Sequence, residues 1–364
     1  MKHSEIIKRF KFLPGYLRDK FFTAGSNGVI YIVEDNGWVI KEDGEYIAQA
    51  VSSRGLSSSL DTMPIFYARK ILHFGSLNTY CTKTARMVDR TNKIVVTVWH
   101  GDFGISDDMD KKINYVLDSQ HLIDCLVVST SIMEKRFKKW GFPESKLVRI
   151  PGGIDPRYFY QYPQQQRLAI RQELKIPKEA IVIGSFQKDG QGWGEGLEPK
   201  LIKGPDVFVE AVAELAKKHN IHCLLTGRAR GFVKRQLEQK GVPYSHLNLD
   251  KALQVAKYYN ALDMYIVASR EEGGPKAIPE SMATGVPLIS TRVGIAPDAI
   301  IDGENGFIVD VEDVQGIVKA AEKILHNKEL TQKIVSNALD TARDYNWEVI
   351  VERYLDLYLE LQNE

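Results

Sequence analysis

Two glutamates separated by seven residues are the side chains whose type and spacing point most directly to chemistry. Glu272 and Glu280 enclose the run Gly-Gly-Pro-Lys-Ala-Ile-Pro, which follows an apolar stretch and precedes a run of small residues. A carboxylate accepts two hydrogen bonds from neighbouring hydroxyls, so such a pair suits the diols of ribose and of hexoses. Taken alone, Glu280 has a simpler explanation, because an acid in the first turn of a helix offsets the helix dipole.

The loop between the glutamates has the features of an anion site. The sequence predicts a strand over 263–268, a loop, and a helix that begins near Lys276 and ends at Gly285. Unpaired amides at the start of a helix, beside the carboxyl end of a parallel strand, favour phosphate groups. Gly273 and Gly274 let a ligand approach the backbone closely. A diphosphate is the expected ligand.

The same stretch resembles a known signature. Residues 272–280, the run Gly-Val-Pro-Leu-Ile-Ser-Thr-Arg-Val-Gly at 285–294 and the acidic-glycine turn at 301–309 are similar to retaining glycosyltransferases of the GT-B architecture, the group 1 or family four type. The likeness covers nearly the whole C-terminal half. It implies that Glu272 contacts the donor sugar and Glu280 the nucleotide ribose.

The resemblance also assigns the loop amides. Those of Gly273 and Gly274 would reach sugar hydroxyls, and those of Lys276 and Ala277 the phosphates. The family often has an aromatic-glycine pair where this chain has Gly274-Pro275, which leaves the donor sugar open.

Cations are needed where a departing nucleoside diphosphate gathers negative charge. Lys203, followed by Gly204 ahead of a predicted helix, is similar to the family's catalytic lysine. The family's arginine has no counterpart, because Ser185 occupies its place, and Lys188 is the predicted substitute. The alternative is that Lys203 is a surface charge that merely precedes the helix. A cation at the start of a helix is unfavourable, because that end of the helix dipole is positive.

Two arginines follow the next predicted strand. Arg228 and Arg230 come directly after the run 221–226, near the same sheet edge. Either one binds phosphate or stacks on the base, or both are solvated surface residues. The glycine-rich insert 189–199 either closes over the donor or shapes the acceptor site.

The N-terminal half offers fewer candidates. Its strand 93–98 ends in Trp-His100-Gly-Asp102, where α/β domains place ligand contacts. A lone histidine there is more often structural, but the resemblance implies that His100 meets the donor sugar, and Asp102 is an acceptor candidate. After the first strand, Gly37 would let the backbone approach a phosphate or the acceptor.

The elements that must position these residues alternate between apolar runs and helical patterns. Most runs are apolar on both faces, as buried parallel strands must be. The predicted strands are 29–33, 70–74, 93–98, 124–129, 180–185, 221–226, 263–268, 286–290 and 306–309. Helices are predicted over 205–218, 311–326 and 347–361.

This order predicts an α/β protein with parallel sheets covered by helices. The resemblance implies that its architecture is GT-B, with two Rossmann-like doubly wound domains facing across a cleft. Glycines and prolines cluster at 151–163, which we interpret as the interdomain connection. With that boundary, the resemblance implies residues 1–155 as the domain on the acceptor side, residues 156–345 as the nucleotide-sugar domain, and a helix over 346–364 that crosses back to the first domain.

Composition excludes several classes of protein. The chain has 364 residues and a net charge of only +1. It therefore lacks the overall positive charge that is typical of nucleic-acid-binding proteins. Three scattered cysteines, of which Cys125 and Cys223 are predicted core residues, fit a reducing cytosol.

No apolar span or secretion signal is visible, which predicts a cytoplasmic location. The basic run 1–20 is either a solvated arm or a peripheral contact with the inner membrane face.

The expected activity is transfer of a sugar from a UDP- or GDP-linked donor to a sugar, polysaccharide or lipid-linked acceptor, with retention. No further cofactor and no metal are expected, since no DxD-like motif stands out and basic residues take that role. Three alternatives stay open: a sugar-nucleotide epimerase, a pyridoxal-phosphate phosphorylase, and a non-catalytic two-domain ligand binder.

Overall fold

The chain forms two compact units, each built around one six-stranded parallel sheet. The structure is a computed structural model that describes residues 28–35, 39–65 and 67–363. The first unit contains the described residues within 1–129, 133–150 and 351–364, and the second contains residues 130–132 and 151–350. The predicted α/β class, with two parallel sheets, is confirmed.

The sheet of the first unit has the order β2-β1-β3-β4-β5-β6. Its strands are β1 (Val29–Ile32), β2 (Ser58–Asp61), β3 (Ile71–Phe74), β4 (Lys93–Val98), β5 (Cys125–Val128) and β6 (Leu147–Arg149). Its helices are α1 (Val39–Ser53), α2 (Leu77–Tyr80), α3 (Asp107–Asp118) and α4 (Ser131–Lys139). The chain runs outward from β1 to β2 and then resumes on the other side at β3, so the switch point lies between β1 and β3.

The second sheet has the order β12-β11-β10-β7-β8-β9, with its switch point between β7 and β10. Its strands are β7 (Ile181–Ser185), β8 (Ile221–Thr226), β9 (Tyr244–Leu247), β10 (Met264–Val267), β11 (Leu288–Thr291) and β12 (Phe307–Val309). Its helices are α5 (Gln164–Glu173), α6 (Pro205–Ala216), α7 (Gly231–Gln239), α8 (Val255–Tyr259), α9 (Ala277–Ala283), α10 (Ala296–Ala299), α11 (Val314–His326) and α12 (Lys328–Arg343). The last helix, α13 (Trp347–Asn363), begins in this unit.

Successive side chains of the central strands point to opposite faces of the second sheet, and each face is covered by its own core layer. In β10, Met264 and Ile266 lie in one layer, whereas Tyr265 and Val267 lie in the other. Both faces are therefore covered, which explains why the strand reads as an unbroken apolar run. Cys223 in β8 is fully buried, as predicted, and burial raises the pKa of its thiol to about 12.

From residue 351 onward, α13 packs within the first unit. Tyr354 and Tyr358 are fully buried there beside His73 of β3. The His73 ring bonds the Tyr358 hydroxyl through Nδ1 at 2.5 Å and the Thr97 hydroxyl through Nε2 at 2.7 Å. Burial lowers the pKa of His73 to about 3, so this histidine is neutral in the folded protein.

All nine predicted strands are present, with boundaries shifted by at most two residues. Three observed strands, β2, β6 and β9, are absent from the prediction, and each lies at an edge of its sheet. Their side chains are only partly buried, because an edge strand has fewer covered neighbours. Such strands do not produce the apolar run on which the prediction depends.

The glycine- and proline-rich segment 151–163 packs onto the second unit. Ile154 pairs with Asn346 in a parallel bridge, and Ile154 and Phe159 lie in the core. Gly153 lies against the Trp347 ring, since a Cβ there would come within 2.4 Å of it. Within the described ranges, none of the helices combines the length and the apolar character that crossing a membrane requires.

Candidate functional site

The predicted donor-site residues follow the carboxyl ends of β7 and β10, the two strands at the switch point of the second sheet. The loop after β7 carries Lys188 and Lys203, and the loop after β10 carries Glu272. Doubly wound sheets bind their ligands at this place, because the loops on either side of the switch diverge and leave a crevice.

A single glycine brings the two loops into contact. Gly204 has φ of +61°, and a Cβ at this position would lie 1.8 Å from the carbonyl oxygen of Ala268, just after β10. Only glycine therefore allows the short 3₁₀ turn Leu201–Lys203 to press against the end of that strand. The side chain of Lys203 then reaches across to the second loop.

Lys203 and Glu272 form an ion pair, with Nζ 2.5 Å from Oε2. The Glu272 side chain is 8% exposed, and its other oxygen lies 2.8 Å from the Ser269 hydroxyl. Two residues that are 69 positions apart in sequence are thus brought together. The ammonium has three N–H groups, so Lys203 can bind Glu272 and still donate to a phosphate oxygen.

Arg270 fixes the loop that carries Glu272, a role that the sequence does not predict. Its guanidinium donates to both carboxylate oxygens of Asp206 at 2.8 and 2.7 Å and to the Leu201 carbonyl at 2.7 Å. Its backbone amide donates to the Ile202 carbonyl at 2.8 Å. The hydrogen bonds from Arg270 hold the pKa of the Asp206 carboxyl below its ordinary value. The two loops are therefore joined by backbone and side chain alike.

Three lysines gather on the β7 side of this site. The pKa of Lys200 is lowered, first by burial and then by repulsion from the cations of Lys203 and Lys188. Lys200 stands three residues before Lys203, and sequence reasoning missed its contribution. The ammonium of Lys188 lies 3.8 Å from the centre of the Trp193 ring. The result is a cluster of positive charge next to one acidic side chain.

Glu280 lies in the first turn of α9, as predicted, with Lys276 at the N-cap and Ala277 as the first helical residue. The hydroxyl of Tyr259 donates to Glu280 Oε2 at 2.9 Å. Tyr259 is fully buried, and burial together with the Glu280 charge raises the pKa of its phenol well above the ordinary value. A fixed hydrogen bond, in addition to any dipole effect, therefore orients this carboxylate.

Gly273 and Gly274 lie between the two acids, and the backbone of Gly273 closely approaches that of Gly294. A Cβ on Gly294 would come within 2.1 Å of the Gly273 carbonyl oxygen. The Nζ of Lys276 lies 5.5 Å from the centre of the Trp347 ring. The backbone of the loop is thus confined at Gly273, where a contact with the donor sugar is predicted.

The interpretation of Arg230 as a phosphate-binding or surface residue is wrong. Its side chain is 0% exposed and bonds Asp189, 2.9 Å away, together with the Ser185 carbonyl at 2.7 Å. It thereby anchors the first residue of the glycine-rich insert. Arg228 is exposed and lines, with Trp193 and Lys234, a cavity of about 760 Å³ beside that insert.

In the first unit, His100 is exposed immediately after β4. The residues around it are held in place: Ser129 donates to the Trp99 carbonyl at 2.8 Å, and Arg136 donates to the Gly101 carbonyl at 2.9 Å. Arg136 also pairs with Asp102 at 3.0 Å, so this acid already has a cationic partner. Exposure at the end of a central strand is compatible with the ligand-contacting role that was predicted for His100.

The first unit has a cavity that follows the carboxyl end of β1. It has a volume of about 290 Å³, and its polar lining residues are Glu34, Asp35, Thr62, Asn78, Thr79, Thr82 and Thr84. Gly37, predicted at this place, lies outside the described residues, as does the basic run 1–20. The lining contains two acids and several hydroxyl groups.

Comparison with known protein families gives one match within the second unit. Residues 197–341 match the family described as Glycosyl transferases group 1. This segment contains Lys203, Glu272 and Glu280.

Individual relatives cover more of the chain. A D-inositol 3-phosphate glycosyltransferase of Nocardioides sp. is 25% identical over 256 residues, which cover 65% of this chain and 53% of the relative. An N-acetyl-alpha-D-glucosaminyl L-malate synthase of Bacillus anthracis is 23% identical over 300 residues, which cover 80% and 74%. The chain spans about half the length of the first of these relatives.

Solved structures show the same fold over most of the chain. HepE from Anabaena, solved in complex with UDP and glucose, has a TM-score of 0.72 and 15% identity and covers 91% of this chain and 99% of its own. A sucrose-phosphate synthase from Thermosynechococcus elongatus has a TM-score of 0.71 and 16% identity and covers 92% and 99%. This likeness confirms the predicted fold class of two parallel-sheet α/β domains.

Proposed function

We propose that this protein is a glycosyltransferase that moves a sugar from a nucleoside-diphosphate sugar to an acceptor hydroxyl, with retention of anomeric configuration. The observation that carries the proposal is the Lys203–Glu272 ion pair at the switch point of the second sheet. It joins a cation suited to a departing diphosphate to an acid suited to sugar hydroxyls. The match of residues 197–341 to group 1 glycosyl transferases supports it.

In this proposal the donor lies along the loop between the glutamates. Glu280, oriented by Tyr259, binds the ribose hydroxyls. The amides of Lys276 and Ala277 meet the diphosphate, and those of Gly273 and Gly274 meet the sugar. Because the related HepE was solved with UDP and with UDP-glucose, a UDP-linked hexose is the first donor to test.

Transfer breaks the bond between the anomeric carbon and the diphosphate oxygen and forms a bond from that carbon to the acceptor oxygen. Negative charge grows on the leaving oxygen, and Lys203 with Lys188 and Lys200 stabilises it. Glu272 holds Lys203 in position and binds the sugar. The acceptor hydroxyl gives up its proton as its oxygen attacks, and the released diphosphate is the base available to take it. In the first unit, we propose His100 as a ligand-contacting residue, because it is exposed after β4.

We further propose that the acceptor binds in the cavity after β1. Carboxylates and hydroxyls line it, and they suit the hydroxyl groups of a sugar better than a phosphate or a dicarboxylate. The relatives are named for inositol 3-phosphate and malate, which are anionic. The expected acceptor of this chain is instead an uncharged sugar unit, free or part of a polysaccharide or glycolipid. Measured rates of sugar transfer to uncharged sugars, to inositol 3-phosphate and to malate distinguish an uncharged acceptor from an anionic one.

The first experiment is a thermal-shift titration with UDP, GDP and their sugars. A ligand that binds only the folded state raises the melting temperature by mass action. We expect one nucleotide to shift the wild type and its shift to be lost in Glu280→Gln. Glu329→Gln is the matched control, because Glu329 is also a first-turn glutamate but is exposed on α12. If both variants keep the shift, Glu280 does not bind the ribose.

A second experiment separates transfer from binding. Lys203→Met should abolish sugar transfer and keep nucleotide binding measurable. Lys217→Met is its control, since Lys217 lies 2.5 Å from Glu214 on the exposed surface, with no role in the site. The coupling constant of the anomeric proton in the product tests retention. Donor turnover without acceptor would favour an epimerase, and nucleotide binding without any turnover would favour a non-catalytic binder.

A further inference from the structure

Two histidines and a glutamate gather at the opposite edge of the second sheet from the proposed donor site. His219 lies in the turn between α6 and β8, just before the amino end of that strand. Glu322 and His326 lie one turn apart on α11. One ligand atom from each of the three side chains lies within 4.8 Å of the other two.

The separations already approach those of a metal site. Glu322 Oε2 is 2.9 Å from His219 Nε2 and 3.2 Å from His326 Nδ1. Ligand atoms around a tetrahedral zinc ion, with bonds of about 2.0–2.1 Å, stand about 3.3 Å apart. Coordination needs only a small adjustment of these separations, because the three ligand atoms already lie within 4.8 Å of one another. The His326 side chain is 67% exposed and therefore free to make that adjustment.

We propose that His219, Glu322 and His326 bind a Zn²⁺ ion. Two imidazoles and one carboxylate form a ligand set that zinc accepts, and they leave the fourth position to water. Mg²⁺ and Ca²⁺ prefer oxygen ligands and do not suit a site in which two of three donors are nitrogens. Each imidazole nitrogen binds the ion through its lone pair, so it must be free of its proton when it coordinates.

The elements that carry the three ligands pack against one another through a buried core. Residues from α6, among them Val212 and Leu215, share a buried core with Ile317, Ala321 and Ile324 of α11. The backbone amide of His219 donates to the Leu215 carbonyl at 3.0 Å, which fixes the turn. Little backbone ordering is left for the ion to impose, so most of its binding free energy is available for affinity.

Two existing contacts must yield to the ion. His326 Nδ1 lies 2.9 Å from the backbone carbonyl of Glu322, and it gives up this hydrogen bond when it coordinates. Lys218 Nζ lies 3.8 Å from Glu322 Oε1, and its side chain is 72% exposed. This ammonium faces the carboxylate oxygen that the two histidines do not use, and it can move into solvent.

The bound ion would join the end of α6 to the end of α11, which a change in thermal stability should reveal. Its position at the amino end of β8 separates it from the Lys203–Glu272 pair at the carboxyl ends. The zinc site therefore does not depend on the proposed transferase activity, and nucleotide binding should be the same with and without the ion.

Calorimetric titration of the metal-free full chain with ZnCl₂ tests the site. We expect the wild type to bind one more ion than the double variant His219→Ala/His326→Ala. Each single substitution should weaken this binding at least tenfold. His121→Ala removes an exposed histidine of the first unit and should change nothing. Lys218→Gln keeps all three ligands and should tighten binding, because a competing cation is removed.

Melting curves provide a second readout. Saturating Zn²⁺ should raise the melting temperature of the wild type and of His121→Ala, but not that of the double variant. Far-ultraviolet circular dichroism confirms that each variant is folded before titration. Equal zinc stoichiometry and affinity in the wild type and the double variant would overturn the proposal. So would displacement of zinc by an equal concentration of Mg²⁺.

Discussion

The buried ion pair between Arg230 and Asp189 makes a quantitative prediction about stability. Their side chains are 0% and 3% exposed, and Arg230 also donates to the carbonyls of Ser185 and Thr226. Replacing Arg230 by methionine keeps the side-chain volume but leaves a buried carboxylate without its cation. Loss of one partner from a buried pair costs about 3–5 kcal/mol. For a unit of about 200 residues this lowers the melting temperature by about 6–20 °C.

The pH dependence of that loss has a definite sign. Burial raises the pKa of Asp189, and the charge of Arg230 opposes the rise. In Arg230→Met the opposing charge is lost while burial remains, so the pKa of Asp189 in the folded variant rises further. The folded variant then binds a proton that the unfolded chain releases above about pH 4. Its stability therefore falls as pH rises from about 4 through the folded pKa, and its deficit against wild type is larger at pH 8 than at pH 5.

Urea unfolding at pH 5 and pH 8 measures both quantities. Arg343→Met is the control, because Arg343 pairs with Asp340 at 3.2 Å with its side chain 80% exposed, and its removal should cost under about 0.5 kcal/mol. The double variant Arg230→Met/Asp189→Leu should recover much of the loss, since no buried charge remains. A deficit below about 1 kcal/mol, or one that grows toward acid pH, would refute the reasoning.

Three further outcomes are expected. Gly204→Ala should lower the unfolding free energy by at least about 1–2 kcal/mol and weaken donor affinity, because φ is +61° and its Cβ would meet the Ala268 carbonyl; calorimetry and nucleotide titration measure both. As pH falls below about 6.5, burial of neutral His73, whose pKa is about 3, should cost about 1.4 kcal/mol per pH unit, and His73→Gln should lack this dependence in acid denaturation. Tyr259→Phe removes a hydrogen bond to Glu280 and should weaken nucleotide affinity about 2–10-fold; an unchanged dissociation constant would contradict the ribose assignment.

Sequence patterns predict the centre of each sheet well and its edges poorly. Strands such as β4 and β8 are covered on both faces, and their apolar runs mark both boundaries correctly. The edge strand β9, Tyr-Ser-His-Leu, is only half-buried and contains no such run. Its position depends on pairing with β8, and a non-local contact leaves no local signal.

The candidate site divides in the same way. Glu272, Glu280 and the start of α9 follow from local spacing, and the structure has the helix begin at Ala277 with Glu280 in its first turn. The contribution of Arg270 depends on contacts between two loops that are distant in sequence, which spacing cannot show. The contribution of Lys200 depends on how one loop folds around Lys188 and Lys203. The burial of Arg230 could not be foreseen, because a charged residue after a strand is usually exposed. Asp189, its partner, is 41 residues away in the sequence.

The two-part course of α13 has a consequence for synthesis. Residues 351–363 complete the first unit, although everything else in that unit precedes residue 151. On the ribosome, the first sheet therefore emerges before the helix that covers His73. The second unit can fold while the first unit is still incomplete. Until the final turns of α13 are made, the buried face around His73 stays open to solvent and to chaperones. The half of the protein that is made first is thus the last to be finished.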